Sequence, residues 1–94
     1  MSDFSYLFSP MKIGPVVVPN RINFAAHLTN LAEDHRISED HICYYVARAK
    51  GGCGLITTEE LTVHPSDLAY DKLVDAFEAD EIPGFPRLTS TIHR

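Results

Sequence analysis

Hydrophobic and polar positions change rhythm several times along this chain. Phe4, Tyr6, Leu7 and Phe8 form an apolar lead-in that has to pack on something. Lys12-Ile13 and Val16-Val17-Val18 flank Gly14-Pro15, and a turn dipeptide between β-branched residues predicts a short hairpin. Pro19 ends it, because proline cannot donate to a ladder. From Arg21 to Ala26, Ile22 and Phe24 alternate with Asn23 and small residues, which predicts a strand. His27 to Ile37 has no clear period and reads as a loop.

The strongest pattern follows. Ser38 can cap a helix, with Glu39 and Asp40 in the first turn facing the positive end of the dipole. Ile42, Tyr45, Val46 and Ala49 fall at i, i+3, i+4 and i+7, one helical face. Arg48 and Lys50 suit the last turn, and Gly51-Gly52 predicts a left-handed glycine stop. Cys53 to Thr58, apolar and β-branched, predicts a strand buried on both faces. Glu59 to Ile82 has no strong period and predicts a long loop, its acidic residues Asp71, Asp75, Glu78, Asp80 and Glu81 in solvent. Pro83-Gly84 turns the chain, and Pro86 opens a second helix with Leu88 and Ile92 one turn apart. Strand, helix and strand at this spacing make a βαβ unit with parallel strands. One and a half helices cannot cover both faces of two such strands, so the pattern belongs to a larger α/β layer structure.

Composition narrows the class. The chain has 94 residues, enough for one domain, and its 45% hydrophobic content is that of a packed protein rather than a disordered tail. A formal charge of −5 argues against nucleic acid or an anionic membrane as partner. No stretch approaches the ~20 apolar residues of a membrane-spanning helix. The start, Met1-Ser2-Asp3-Phe4, lacks the basic and apolar regions of a signal peptide, so a cytoplasmic location is expected. Cys43 and Cys53 are then reduced thiols, and their spacing fits no usual zinc pattern.

Several phrases in register carry a family resemblance. Leu7-Phe8-Ser9-Pro10-Met11-Lys12-Ile13-Gly14 precedes Pro19-Asn20-Arg21-Ile22. Tyr44-Tyr45-Val46-Ala47-Arg48-Ala49-Lys50-Gly51-Gly52 and Gly54-Leu55-Ile56-Thr57-Thr58-Glu59 follow, then Ile82-Pro83-Gly84-Phe85 and Ile92-His93. In order and spacing these resemble the N-terminus of the NADH:flavin oxidoreductase / Old Yellow Enzyme family. Around Ala26-His27 and Thr58-Glu59 the likeness is to its trimethylamine dehydrogenase and 2,4-dienoyl-CoA reductase branch. The resemblance implies an α/β fold, the N-terminal portion of a TIM (β/α)8 barrel, with residues 1–94 a partial barrel domain truncated before most strands are made. It implies FMN as cofactor, held where the strand ends of a barrel converge. The first flavin contacts fall on Ala25, Ala26, His27 and Leu28 after the first barrel strand, and the next on Glu60 after the second. NAD(P)H is the implied reductant and an activated alkene or related small molecule the implied substrate. The implied catalytic residues lie beyond Arg94, and no cysteine run for an iron–sulfur cluster is present.

Each candidate also has a plain structural reading. His27 taken alone is a loop histidine bonded to nearby backbone; with the resemblance it lines the flavin pocket. Glu59 and Glu60, adjacent at a strand end, point to opposite faces and cannot share one substrate, so one faces the site and one braces the barrel. His41 and Cys43 at i, i+2 do not face each other on a helix and make no metal pair. Tyr44 and Tyr45 read as helix packing residues. Gly51-Gly52-Cys53-Gly54 precedes a strand and lacks the Lys-Ser/Thr ending, so it is no phosphate loop. The alternative to an enzyme is an inactive fragment, or a part-barrel whose open strand edge favours an oligomer or a partner chain that completes it.

Overall fold

The computed structural model describes residues 3–67, 72–76 and 84–93. The hairpin forms as its turn chemistry dictates. β1 (Met11–Ile13) pairs antiparallel with β2 (Val16–Val18), Ile13 opposite Val16. Gly14 takes φ +58, a conformation open to glycine at no steric cost. Of the hairpin's valines only Val18 is buried, while Val16 and Val17 stay exposed.

The βαβ unit is present and parallel. β3 (Asn23–Phe24) pairs with β4 (Leu55–Ile56), Asn23 opposite Leu55 and Phe24 opposite Ile56. Between them runs α1 (Glu39–Lys50), capped by Ser38, whose hydroxyl accepts the His41 amide at 3.1 Å. The reciprocal half of this capping box comes from His41, whose Nδ1 accepts the Ser38 amide at 3.1 Å where Glu or Gln is the usual partner. At the other end Gly51 remains right-handed, and the turn out of the helix is made by Gly52 at φ +107. The glycine stop thus falls one residue later than the first glycine.

Asn20 fixes the lower end of this unit. Its Nδ2 donates to the Gly52 carbonyl at 2.7 Å and its Oδ1 accepts the Ile22 amide at 3.0 Å. Gly54 passes so close to Asn20 that a Cβ there would stand 2.5 Å from the Asn20 carbonyl oxygen. α2 (Gly84–Ile92) then packs on α1, with Leu88, Ile42 and Tyr45 at the centre and Phe24, Ile56 and Ile92 around them. Glu39 and Arg87 pair across the exposed rim of the two helices, where such a pair contributes little.

Three expectations are corrected here. The strand after the glycines is not buried on both faces: Ile56 packs against the core of α1 and α2, while Leu55, alternating to the opposite face, is exposed. The long loop contains order of its own. β5 (Leu61–Thr62) pairs parallel with β6 (Val74–Asp75), joined in part by a 3₁₀ turn at Pro65–Asp67. Asp75 is buried, not solvated; Asp71, Glu78, Asp80, Glu81 and Pro83 lie outside the described residues. The segment from His27 to Ile37 is a loop, and β6 holds it down. His35 Nδ1 donates to the Leu73 carbonyl at 2.7 Å, and the Asp75 amide donates to the His35 carbonyl at 2.9 Å. Asn30, Asp34 and His35 in this loop take positive φ, a region that Asn, Asp and His enter more readily than other non-glycine residues.

Candidate functional site

Phe24 is the last residue of β3 and packs edge-on against Tyr44 and Tyr45 of α1, with ring centroids 6.0 and 6.4 Å apart. Its carbonyl accepts the Thr57 amide at 3.0 Å, which closes the ladder to the chain after β4. Beyond it Ala25 and Ala26 are exposed, and neither amide has a hydrogen-bond partner among the described residues. Leu28 is half-buried. His27 is exposed, yet both its ring nitrogens are engaged. Nδ1 donates to the Leu28 carbonyl at 3.2 Å, so Nε2 is left to accept the Tyr44 hydroxyl at 2.8 Å. The ring also lies edge-on to Phe24 and Tyr44. Tyr44 in turn carries the Arg48 guanidinium 3.7 Å above its ring. The imidazole is thus fastened toward α1, and the backbone of the strand end is what stands open.

The second strand end is organised by a buried carboxylate. Glu59 is 3% exposed, and Glu60 beside it is exposed. Glu59 Oε1 accepts the Thr29 hydroxyl at 2.6 Å and the Tyr45 hydroxyl at 3.0 Å. The Glu59 amide donates back to the same Tyr45 oxygen at 3.0 Å. His41, fully buried, brings Nε2 to 2.9 Å from Oε1. Because Nδ1 accepts the Ser38 amide, the ring proton belongs on Nε2, against the carboxylate. This approach is off the hydrogen-bond axis, so it is an electrostatic contact and not an aligned bond. Oε2 has no partner among the described residues. Burial, with the Glu59 charge adding to it, pushes the Tyr45 phenol above its ordinary range, so it stays a hydroxyl and a donor at neutral pH.

Of the five residues named from the sequence, Ala25, Ala26, His27 and Leu28 follow β3 in turn, and Glu60 lies four residues past β4, directly before β5. Sequence reasoning set one of Glu59 and Glu60 to brace the barrel, but missed the hydrogen-bonded group that Glu59 forms with Thr29 and Tyr45, with His41 beside it. One signal was available. His41 and Tyr45 stand at i, i+4 on α1, so a polar pair shares the face otherwise read as apolar. A groove of about 540 Å³ lies elsewhere, between β2, β4 and α2, and touches none of the five. Among the described residues no group of three His, Cys, Asp or Glu side chains is placed to hold a metal. No helix among them is long and apolar enough to cross a membrane.

Comparison with known proteins places this geometry in a lineage. Residues 6–94 match the model of the NADH:flavin oxidoreductase / NADH oxidase family. The chain is 50% identical over 64 residues to the NADH oxidase of Thermoanaerobacter brockii, a match covering 67% of this chain and 10% of that protein. A solved 2-naphthoyl-CoA reductase complex superposes with a TM-score of 0.91 and 28% identity, over 96% of this chain and 14% of that one. The old yellow enzyme from Trypanosoma cruzi shares the fold, with a TM-score of 0.85 at 24% identity over 98% of this chain and 25% of that one. The chain thus spans a quarter or less of the length of these relatives. The hairpin, the β3-α1-β4 unit and the start of the next helix are the N-terminal portion of a (β/α)8 barrel, and the chain belongs to the NADH:flavin oxidoreductase / NADH oxidase family, of the Old Yellow Enzyme kind.

Proposed function

We propose that the protein is an FMN-binding oxidoreductase of the Old Yellow Enzyme type, and that this chain supplies the first part of its flavin site. The observation that carries the reading is the pair of adjacent strand ends. Ala25 and Ala26 present exposed backbone with nothing larger than a methyl group above it, and their amides are uncommitted among the described residues. A planar polar ring needs that kind of surface: close approach and fixed donors at its carbonyl and nitrogen edge. These residues therefore fit a flavin. Ala25, Ala26 and the backbone of His27 and Leu28 would hold one side of it, and Glu60 would meet it from the second strand end. The bound flavin supplies reversible hydride transfer, from NAD(P)H and on to an activated alkene or related small molecule. The chain's own part is to bind and orient the ring. The His27 imidazole, committed to Tyr44, stiffens the strand end and does not reach over it.

The test is to add FMN to the purified protein and follow flavin fluorescence and visible absorbance. NADH, NADPH and a simple enone are then added in turn without oxygen. Quenched fluorescence is expected of this chain, and bleaching by a nicotinamide with recovery by the enone is expected when the chain is joined to the remaining barrel strands. Failure of FMN to bind overturns the reading. A second reading is favoured by exposed Leu55, Leu61 and Val63 along the outer strands: a barrel section that acts only when further strands, from the same polypeptide or a partner chain, cover them. FMN binding that appears only with those strands present supports it.

A further inference from the structure

Glu59 is buried and lies directly beside one residue proposed to contact the flavin, Glu60, and through its Oε1 it is bonded to Thr29, the neighbour of another, Leu28. A single buried oxygen therefore joins three segments: the chain leaving β3 through Thr29, α1 through Tyr45, and the chain leaving β4 through Glu59 itself. Tyr45 doubles the tie, because its oxygen also accepts the Glu59 amide. The Thr29 hydroxyl is held in place from the other side by the Leu31 amide, which donates to it at 3.3 Å. α1 is anchored independently by its Ser38 cap, whose hydroxyl donates to the Leu31 carbonyl at 2.6 Å. The loop after β3 is thereby tied to α1 through His27–Tyr44, through Leu31–Ser38 and, between these along the loop, through Thr29, Glu59 and Tyr45.

We propose that Glu59 is a positioning residue: through Oε1 it clamps the chain after β3 to the chain after β4, and so fixes the separation at which Leu28 and Glu60 present their backbones. The proposal rests on the flavin reading for its functional meaning, but the clamp itself is a property of the ligand-free chain. Both hydroxyl donors converge on the same oxygen, and Oε2 has no partner among the described residues. A glutamine whose amide oxygen takes the place of Oε1 therefore keeps both bonds, whereas methionine keeps the shape and neither bond.

The experiment is ¹⁵N relaxation on the ligand-free 94-residue chain and its Thr29→Val, Glu59→Met and Glu59→Gln variants. In the wild type and in Glu59→Gln, amide order parameters at Leu28 and Glu60 are expected near the rigid value of about 0.85. In Thr29→Val and Glu59→Met they are expected to fall below about 0.6, with the β1–β2 hairpin unchanged. Rigid amides in Thr29→Val, or Glu59→Gln as loose as Glu59→Met, would overturn the clamp. Should Glu59→Met fail to fold, Thr29→Val decides. A parallel FMN titration separates the two claims. Wild-type chain that does not bind FMN counts against the flavin reading, while the order parameters still decide the clamp. Binding weakened about tenfold in Thr29→Val and retained in Glu59→Gln supports both.

Discussion

Replacing Tyr45 by phenylalanine removes one oxygen atom and leaves the ring in the core. The side chain is 1% exposed, so no water takes the place of the lost hydroxyl without opening the packing around Ile42 and Leu88. Two buried groups each lose a partner: Glu59 Oε1, which accepted the hydroxyl at 3.0 Å, and the Glu59 amide, which donated to it at 3.0 Å. The Glu59 amide is left unsatisfied, at about 1–3 kcal/mol, while Oε1 keeps the Thr29 hydroxyl and loses one bond worth about 1 kcal/mol, so the substitution costs about 2–4 kcal/mol in all. A domain of this size has a stability of about 5 kcal/mol or somewhat more, so the loss is a large fraction of the whole. The chain has no tryptophan and the substitution deletes one of four tyrosines, so far-UV circular dichroism is the suitable probe of urea unfolding. With a slope of about 1–3 kcal/mol per molar urea, the midpoint falls by about 1–2 M. A variant within about 0.5 kcal/mol of wild type would refute the hydrogen-bonded role of the hydroxyl and leave Tyr45 as packing alone.

Other consequences follow from the same contacts. Since burial raises the folded-state pKa of the Tyr45 phenol, its contribution is fully present below the ordinary phenol pKa of about 10 and is lost as pH rises above it; the wild-type minus Tyr45→Phe difference in unfolding free energy should be flat below that pH and shrink above it. Gly54→Ala would drive a Cβ to 2.5 Å from the Asn20 carbonyl oxygen and 2.6 Å from its side-chain oxygen, both fixed by Asn20's own bonds to Gly52 and Ile22; a cost of about 1–3 kcal/mol and a melting temperature lower by several degrees are expected in a thermal scan. Leu88→Ala, at a site 2% exposed between the two helices, should cost about 2–5 kcal/mol in the same urea assay and detach α2 first, seen as loss of amide protection from Phe85 to Ile92.

The hairpin and α1 were legible in the sequence because their signals are local. Gly14-Pro15 sets a turn, and Ser38 with the Ile42, Tyr45, Val46, Ala49 face sets a helix, whatever the rest of the chain does. The parallel pairing of β3 with β4 was legible from the spacing of strand, helix and strand. The β5–β6 pair was not, because each strand has two residues and one of them is the polar Thr62 or the acidic Asp75, so no period marks them. The burial of Asp75 follows from the docking of the His35 loop onto β6, a contact between segments distant in sequence. At the candidate site Ala25, Ala26, His27, Leu28 and Glu60 were named from family resemblance alone, and the bonds of the supporting carboxylate were not foreseen. Glu59 was weighed against Glu60, and the alternation of strand side chains correctly set them on different sides. The identity of its partners depended on how α1 lies across the strand ends, which the sequence does not state. His41 was the harder case, since a histidine in the third helical position replaces the usual Glu or Gln of a capping box.

The central claim is that the ends of β3 and β4 form the first part of a flavin site, and chemical-shift mapping tests it most directly. FMN is titrated into the ¹⁵N-labelled chain, where even weak binding is visible residue by residue. Shifts concentrated at Ala25, Ala26, His27, Leu28 and Glu60, saturating with FMN and absent with riboflavin-free phosphate, are the expected result. Unchanged amides at these five positions, or shifts confined to the groove beside Val18, Leu55 and Leu88, would contradict it.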